Sequence, residues 1–368
     1  MLAGKARAFM EAEFGPPHDP DRGERVLVGG MRNLRLSYPR NVYLVTIPEG
    51  YNRPEHIEWP LAHAMYQRVT YMMRDGLGTK YWVDSMLSCQ SGWEMYVASG
   101  RAFYPQLQRE RSRRLSTAPS VCELEKATRL LPYANLWREQ PDWIYRVIDS
   151  WAAALRSISG WRHFKTLLTA KNWDEWLAGL APRQASVAAR LLAIAPATGS
   201  QPADAPSQSS QAPDVLFAWA LYHLGRTEEA LVECGRLEML EDARGALECA
   251  SACFEDLGRY SEAVEAMLRM DQMRPFTAAE RHSFGLQLMV AGRLAEAKTE
   301  LSSALEEAPG DALLRYNLGV VLREQGRSDE ARKEWETALG LEQNEGSRSI
   351  IELALGVTTP GAKQDPQS

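Results

Sequence analysis

Apolar and polar positions in the C-terminal part of the chain follow a helical period that is cut at regular intervals. Four Gly-Arg steps make the cuts, at Gly225, Gly258, Gly292 and Gly326, with spacings of 33, 34 and 34 residues. Each glycine ends an apolar run and precedes a second amphipathic run, which is the pattern of a helix stop followed by a tight turn. Seven residues before the glycines stand Ala218, Ser251, Gly285 and Gly319; five after them stand Ala230, Ala263, Ala297 and Ala331. Small side chains at both places let two helices of a hairpin cross closely. Nine residues after the glycines, Cys234, Met267, Leu301 and Trp335 are placed to fill the space between helices. Pro275 and Pro309 close the second and third units, because a helix cannot continue through proline. A period of this length marks stacked helical hairpins rather than a single globular core.

These positions resemble the tetratricopeptide repeat, whose unit of 34 has a small residue, a turn glycine, an alanine and a closing proline. The resemblance covers about 211–345. It departs from the family pattern in three ways: no unit has the early tryptophan, the first unit is one residue short, and Asp242 stands where its closing proline is expected. The resemblance implies a ligand groove lined by the first helix of each hairpin. Its positions are Val215, Trp219, Tyr222 and His223; Glu248, Ala252, Glu255 and Asp256; His282, Leu286, Met289 and Val290; and Tyr316, Val320, Arg323 and Glu324. Members that clamp a C-terminal carboxylate use Lys and Asn at the second and third groove positions, and neither is present here. The candidate partner-binding residues are therefore Trp219, Tyr222, His223, Glu255, His282, Leu286, Met289, Tyr316, Val320 and Arg323. An apolar face with an acidic centre suits an amphipathic helix or an extended segment carrying a basic residue. The alternative is that Trp219, Leu286, Met289 and Val290 pack against the protein's own N-terminal half.

Ahead of the repeats the pattern changes. Residues 1–24 read as an extension and 25–118 as a small α+β domain. Strand-like runs lie at Arg25–Val28, Asn33–Tyr38, Val42–Ile47, Lys80–Val83 and Trp93–Ala98, and a helical run at Glu58–Arg74. That order predicts one helix packed on an antiparallel sheet. Residues 119–195 read as helical, with helices over Val121–Leu131, Asp142–Ile158, Trp161–Leu168, Asn172–Leu180 and Gln184–Ile194. Residues 196–213 are rich in Pro, Ser, Ala and Gln and read as a flexible linker. Four repeats follow over 214–345, then a capping helix within 346–358, centred on Ser347–Leu355, and a disordered tail at 359–368. The fold class is thus mostly α: a C-terminal hairpin array, an N-terminal α+β domain and a helical middle segment.

Composition narrows function by exclusion. The chain of 368 residues is 45% hydrophobic and 24% charged, as expected of a globular protein. It has no apolar stretch long enough to span a membrane and no apolar leader. Five cysteines without Cys-x-x-Cys spacing fit a reducing cytoplasm, and Cys249 and Cys253 read as core thiols. The net charge of −6 hides an asymmetry: residues 1–200 carry 26 basic and 19 acidic side chains, leaving 16 and 29 for the remainder. The basic and acidic halves are suited either to each other or to separate partners. Nine of the eleven tryptophans lie in 59–176 and are expected to build a core. An Ala, Arg and Leu-rich composition points to a bacterial source.

Candidates for chemistry are weak. Cys89, with His56 and His63 upstream, lacks the spacing of a thiol nucleophile and its base. Gly76-Leu77-Gly78-Thr79-Lys80 follows a helix, the reverse of a phosphate-cradling loop. Arg109, Arg111, Arg113 and Arg114 follow Phe103 and Tyr104, but the run is short, includes Glu110 and reads as a solvated boundary rather than a nucleic-acid site. No histidine spacing suits a metal, so no metal, cofactor or catalytic residue is assigned. The reading is a non-enzymatic cytoplasmic adaptor, assembly factor or chaperone, with a possible second partner at the N-terminal region. The alternative is an enzyme with a site near Cys89, His56 or Asp84 that uses the repeats to recruit substrate.

Overall fold

The structure is a computed structural model; it describes residues 25–30, 42–47, 141–194, 212–238, 243–343 and 345–356, with isolated positions Ala12, Met86, Leu87 and Gln90. The chain divides into two compact units: Met1–Ser99 with Gln106–Arg236, and Gly100–Pro105 with Leu237–Ser368.

In the first unit, β1 (Arg25–Gly30) and β2 (Val42–Ile47) pair in parallel, with Arg25 opposite Val42 and Gly30 opposite Ile47. This corrects the expected antiparallel pairing. A parallel pair needs a crossover connection rather than a tight turn. The strands expected at 33–38, 80–83 and 93–98, and the helices expected at 58–74 and 121–131, lie outside the described residues.

Helix α1 (Pro141–Phe164) bends at Gly160, whose φ of 69° is left-handed. Trp151, Ala154, Leu155 and Ile158 form its buried stripe. A 3-10 turn over Lys165–Leu168 leads to α2 (Trp173–Ala178). Asn172 starts α2 by accepting the Glu175 amide hydrogen at 2.8 Å, and Glu175 accepts that of Lys171 at 2.9 Å. Helix α3 (Pro182–Leu192) opens on proline, whose missing N–H costs nothing in a first turn. Helices α4 (Val215–His223) and α5 (Thr227–Glu238) form the first repeat. Helix α4 is apolar on nearly all sides because it packs on α1 as well as on α3.

The second unit holds three hairpins. They are α6 (Ala243–Asp256) with α7 (Tyr260–Met273), α8 (Ala278–Val290) with α9 (Leu294–Glu307), and α10 (Ala312–Glu324) with α11 (Ser328–Leu341). Within each hairpin the two helices pack together, α7 then packs on α8 and α9 on α10, and α12 (Glu345–Ala354) packs on α11. One continuous core runs through them, from Leu247 and Met267 through Leu288, Leu301 and Trp335 to Ile351.

The turns explain the Gly-Arg period. At Gly258, Gly292 and Gly326, with φ of 71°, 76° and 78°, the following arginine N–H reaches back to the carbonyls of Phe254, Leu288 and Leu322 at 2.8–2.9 Å. The glycine N–H bonds the residue three before it. The Gly225 turn repeats both: the Arg226 N–H donates to the Leu221 carbonyl and the Gly225 N–H to that of Tyr222, each at 3.0 Å. This pair of hydrogen bonds closes the last helical carbonyls and needs a left-handed residue, which glycine adopts without a Cβ penalty.

The small positions are close approaches. A Cβ on Gly285 would stand 2.8 Å from Leu301 Cγ, and one on Gly319 only 2.3 Å from Trp335 Nε1. In the second repeat Ser251 fits because its hydroxyl donates to the Ala263 carbonyl at 3.2 Å.

Candidate partner-binding face

In the second unit the expected groove residues occupy one side of α6, α8 and α10. On α8, His282, Leu286, Met289 and Val290 are half-buried, while Phe284, Gly285 and Leu288 turn into the core. On α10, Tyr316 and Val320 are half-buried and Arg323 is exposed, while Leu314, Leu318, Val321 and Leu322 are sealed. Met289, Tyr316 and Val320 pack their lower parts against the core. On α6, Ala252 and Glu255 are half-buried, and Glu248 and Asp256 exposed. The half-buried side chains among them thus have a packed base and an outward part.

Two polar links hold the three helices side by side. Gln287 Nε2 on α8 donates to the Ser251 hydroxyl on α6 at 2.9 Å. His282 on α8 and Asn317 on α10 meet at 2.7 Å. Burial pushes the His282 ring below the ordinary histidine value, against the opposing pull of Asp311. The ring is therefore neutral near pH 7, and Nε2 accepts from the Asn317 amide. At the far end, the Arg323 guanidinium lies 5.6 Å from the Trp335 ring centre and bonds Glu324 at 3.1 Å. Tyr316 leans on the same indole, 6.5 Å between ring centres, and burial raises its phenol above the usual value despite Arg323.

In the first unit α4 carries an aromatic cluster. Trp219 stands edge-on to Tyr222 at 5.4 Å, and His223 lies 6.2 Å from Trp219 and 5.6 Å from Tyr222. All three are half-buried.

Several residues escaped the sequence reading. The arginine of each Gly-Arg step pairs with a glutamate three residues on. Arg226–Glu229, Arg259–Glu262, Arg293–Glu296 and Arg327–Glu330 are joined through Nε at 2.6, 3.0, 2.7 and 2.6 Å. Their signal was visible as Gly-Arg-x-x-Glu-Ala in all four units. Asn317 and the Ser251–Gln287 bond left no such signal, because each partner belongs to a different repeat.

The other candidates are placed as follows. Cys234, Cys249 and Cys253 are buried, as expected of core thiols. His56, His63, Cys89, Asp84, Gly76–Lys80 and Arg109–Arg114 lie outside the described residues. Among the described residues no group of three or more His, Cys, Asp or Glu is placed to hold a metal. No described helix is long and apolar enough to cross a membrane.

Hairpins stacked in register on a continuous core, with small residues at every crossing, define a helical-repeat protein. The C-terminal part is of the tetratricopeptide repeat family: residues 283–341, from within α8 to the end of α11, match its model. Solved structures of MamA are similar over part of the chain. Two of MamA AMB-1 share 21% and 22% identity, covering 35% and 39% of this chain and 79% of those chains, with TM-scores of 0.31. A further MamA structure shares 16% over 38% of this chain and 85% of that one, with a TM-score of 0.33. Likenesses this low add nothing to what the repeats establish. No curated protein matches the sequence.

Proposed function

We propose that this chain is a protein-binding scaffold that holds a helix or extended segment of a partner on the outward side of α6, α8 and α10. The aromatic side of α4 offers a further contact. The supporting observation is the division of burial within single helices. Residues such as Leu288 and Leu322 are sealed, yet none of the ten candidate groove residues is. A face that is apolar, half-open and held in register by Ser251–Gln287 and His282–Asn317 suits a ligand that inserts side chains at helical or extended spacing. Glu248, Glu255 and Asp256 add negative charge at the α6 end, which favours a segment carrying a basic residue. Adaptor, assembly factor and chaperone are the roles this reading allows, with a second partner at the N-terminal region and a cytoplasmic setting.

The test uses the full chain. Partners are captured from cell extract by affinity purification and identified by mass spectrometry, with Leu286→Glu and Tyr222→Glu as variants. Loss of a captured partner with unchanged circular dichroism is expected of Leu286→Glu, and Tyr222→Glu tests the α4 contact by itself. Undiminished capture refutes groove binding, and unfolding of either variant refutes it in favour of internal packing.

A further inference from the structure

The segment between α3 and α4 has the composition of a hinge, yet the residues on its two sides are locked together. Arg190 near the end of α3 bonds Glu233 of α5 at 2.9 and 3.4 Å. Their side chains are only 9% and 5% exposed. The Arg190 guanidinium also lies 3.5 Å from the centre of the Phe217 ring of α4. Glu233 further accepts the backbone hydrogen of Asp214 at 3.1 Å and a hydrogen from Arg236 at 2.9 Å. Arg183, at the start of α3, grips the Asp214 carboxylate with two bonds of 2.7 and 3.1 Å. The same carboxylate starts α4 by accepting the Leu216 amide hydrogen at 2.8 Å. Val187, Ala188 and Leu191 of α3, and Phe217, Ala218 and Leu221 of α4, are buried, and α4 packs on both α3 and α1.

Asp214, the residue just before α4, is thus held both by a side chain that precedes the segment and by one that follows it. A buried carboxylate shared by two guanidiniums and an amide is not a contact that a swinging hinge makes and breaks. Removing one partner strands a charge away from water. We propose that the Arg183–Asp214 and Arg190–Glu233 clasp, with the buried faces of α3 and α4, makes α1 to α3 an integral layer against the first repeat, α4 and α5, rather than a body hinged to it. The helices on the two sides of 195–213 then fold and move together, and the packed body that holds the first repeat begins at Pro141 rather than at 214.

The experiment cuts the chain between α3 and α4 in the full-length protein. A site for a sequence-specific protease replaces residues 202–206, and the cut protein is passed over a sizing column at physiological salt. The two pieces are expected to elute together. In the Glu233→Lys variant their association should weaken roughly a hundredfold or more. Separation of the two pieces from the otherwise unaltered protein overturns the proposal, whether or not the Lys variant folds. Association of the cut Glu233→Lys pieces as tight as that of the parent overturns the role of the clasp.

Discussion

Gly319 shows how a single position sets helix spacing. Its missing side chain is filled by the Trp335 indole, which is pinned by a 3.0 Å bond from Nε1 to the Tyr316 carbonyl. A methyl group there has nowhere to go, since a pinned ring cannot yield. Gly319→Ala is expected to lower stability by about 1–3 kcal/mol, despite the better helix propensity of alanine. Gly340 lies in the partner helix α11 with nothing within 4 Å of its Cβ site. Gly340→Ala is expected to stabilise by about 0.5–1 kcal/mol. Thermal melts of the two variants check the contrast, and equal effects would contradict the close-approach account. At Gly292, with φ of 76°, the constraint is the backbone rather than space. Gly292→Ala should cost roughly 1–2 kcal/mol.

At the scale of the element, charge is used to start helices. Glu280 caps α8 together with Thr277 and is gripped by Arg244 at 2.6 Å and Arg274 at 2.8 Å. Burial raises its pKa, but the Thr277 amide, Arg244, the Thr277 hydroxyl and Arg274 outweigh this and hold it at about 2. A carboxyl depressed in the folded state stabilises fully above its unfolded value of 4.5, and that stability is lost as pH falls towards about 2. The turn clasps act in the same direction: bonds from Arg259, Arg293 and Arg327 lower Glu262, Glu296 and Glu330. The melting temperature should therefore fall between pH 4.5 and 2, and Glu280→Gln should flatten part of that slope. A slope unchanged by the substitution would rule Glu280 out as a source. Thr277→Ala should cost about 1 kcal/mol through the lost cap.

At the scale of the molecule, the second unit is a chain of nearest-neighbour contacts whose end must be covered. Helix α12 covers it: Ile351 is fully buried, with Ile350, Ala354 and Leu355 against the same core. Arg348 fastens the helix by donating to the Leu339 and Glu342 carbonyls at 2.7 and 2.9 Å. Ile351→Ala should destabilise by about 2–4 kcal/mol. Ile351→Asp should also expose the end of the array and promote self-association, measurable by light scattering. A stable, monodisperse Asp variant would show that α12 is not a cover.

The hairpins of the second unit were legible because each repeat restates the same local requirements. A left-handed turn demands glycine, a crossing demands a small residue, and a helix end demands proline or a cap. The clasp glutamates were equally local, each standing directly before the alanine that marks the second helix of its unit. Local pattern also indicated α1 to α3 and the helix at 347–355. What it could not supply was anything made by residues from different repeats or from helices far apart in sequence. The His282–Asn317 and Ser251–Gln287 bonds, the packing of α4 on α1 and α3, and the Arg190–Glu233 clasp all join positions with no shared period. The parallel pairing of β1 and β2 belongs with them, since strand direction depends on how the chain crosses between the strands. Sequence alone determined where the C-terminal helices begin, stop and approach one another, because those choices rest on single residues and their near neighbours. Only the tertiary structure decided which helices lean on which and which side chains stay half-open, because burial is a property of the assembled neighbours.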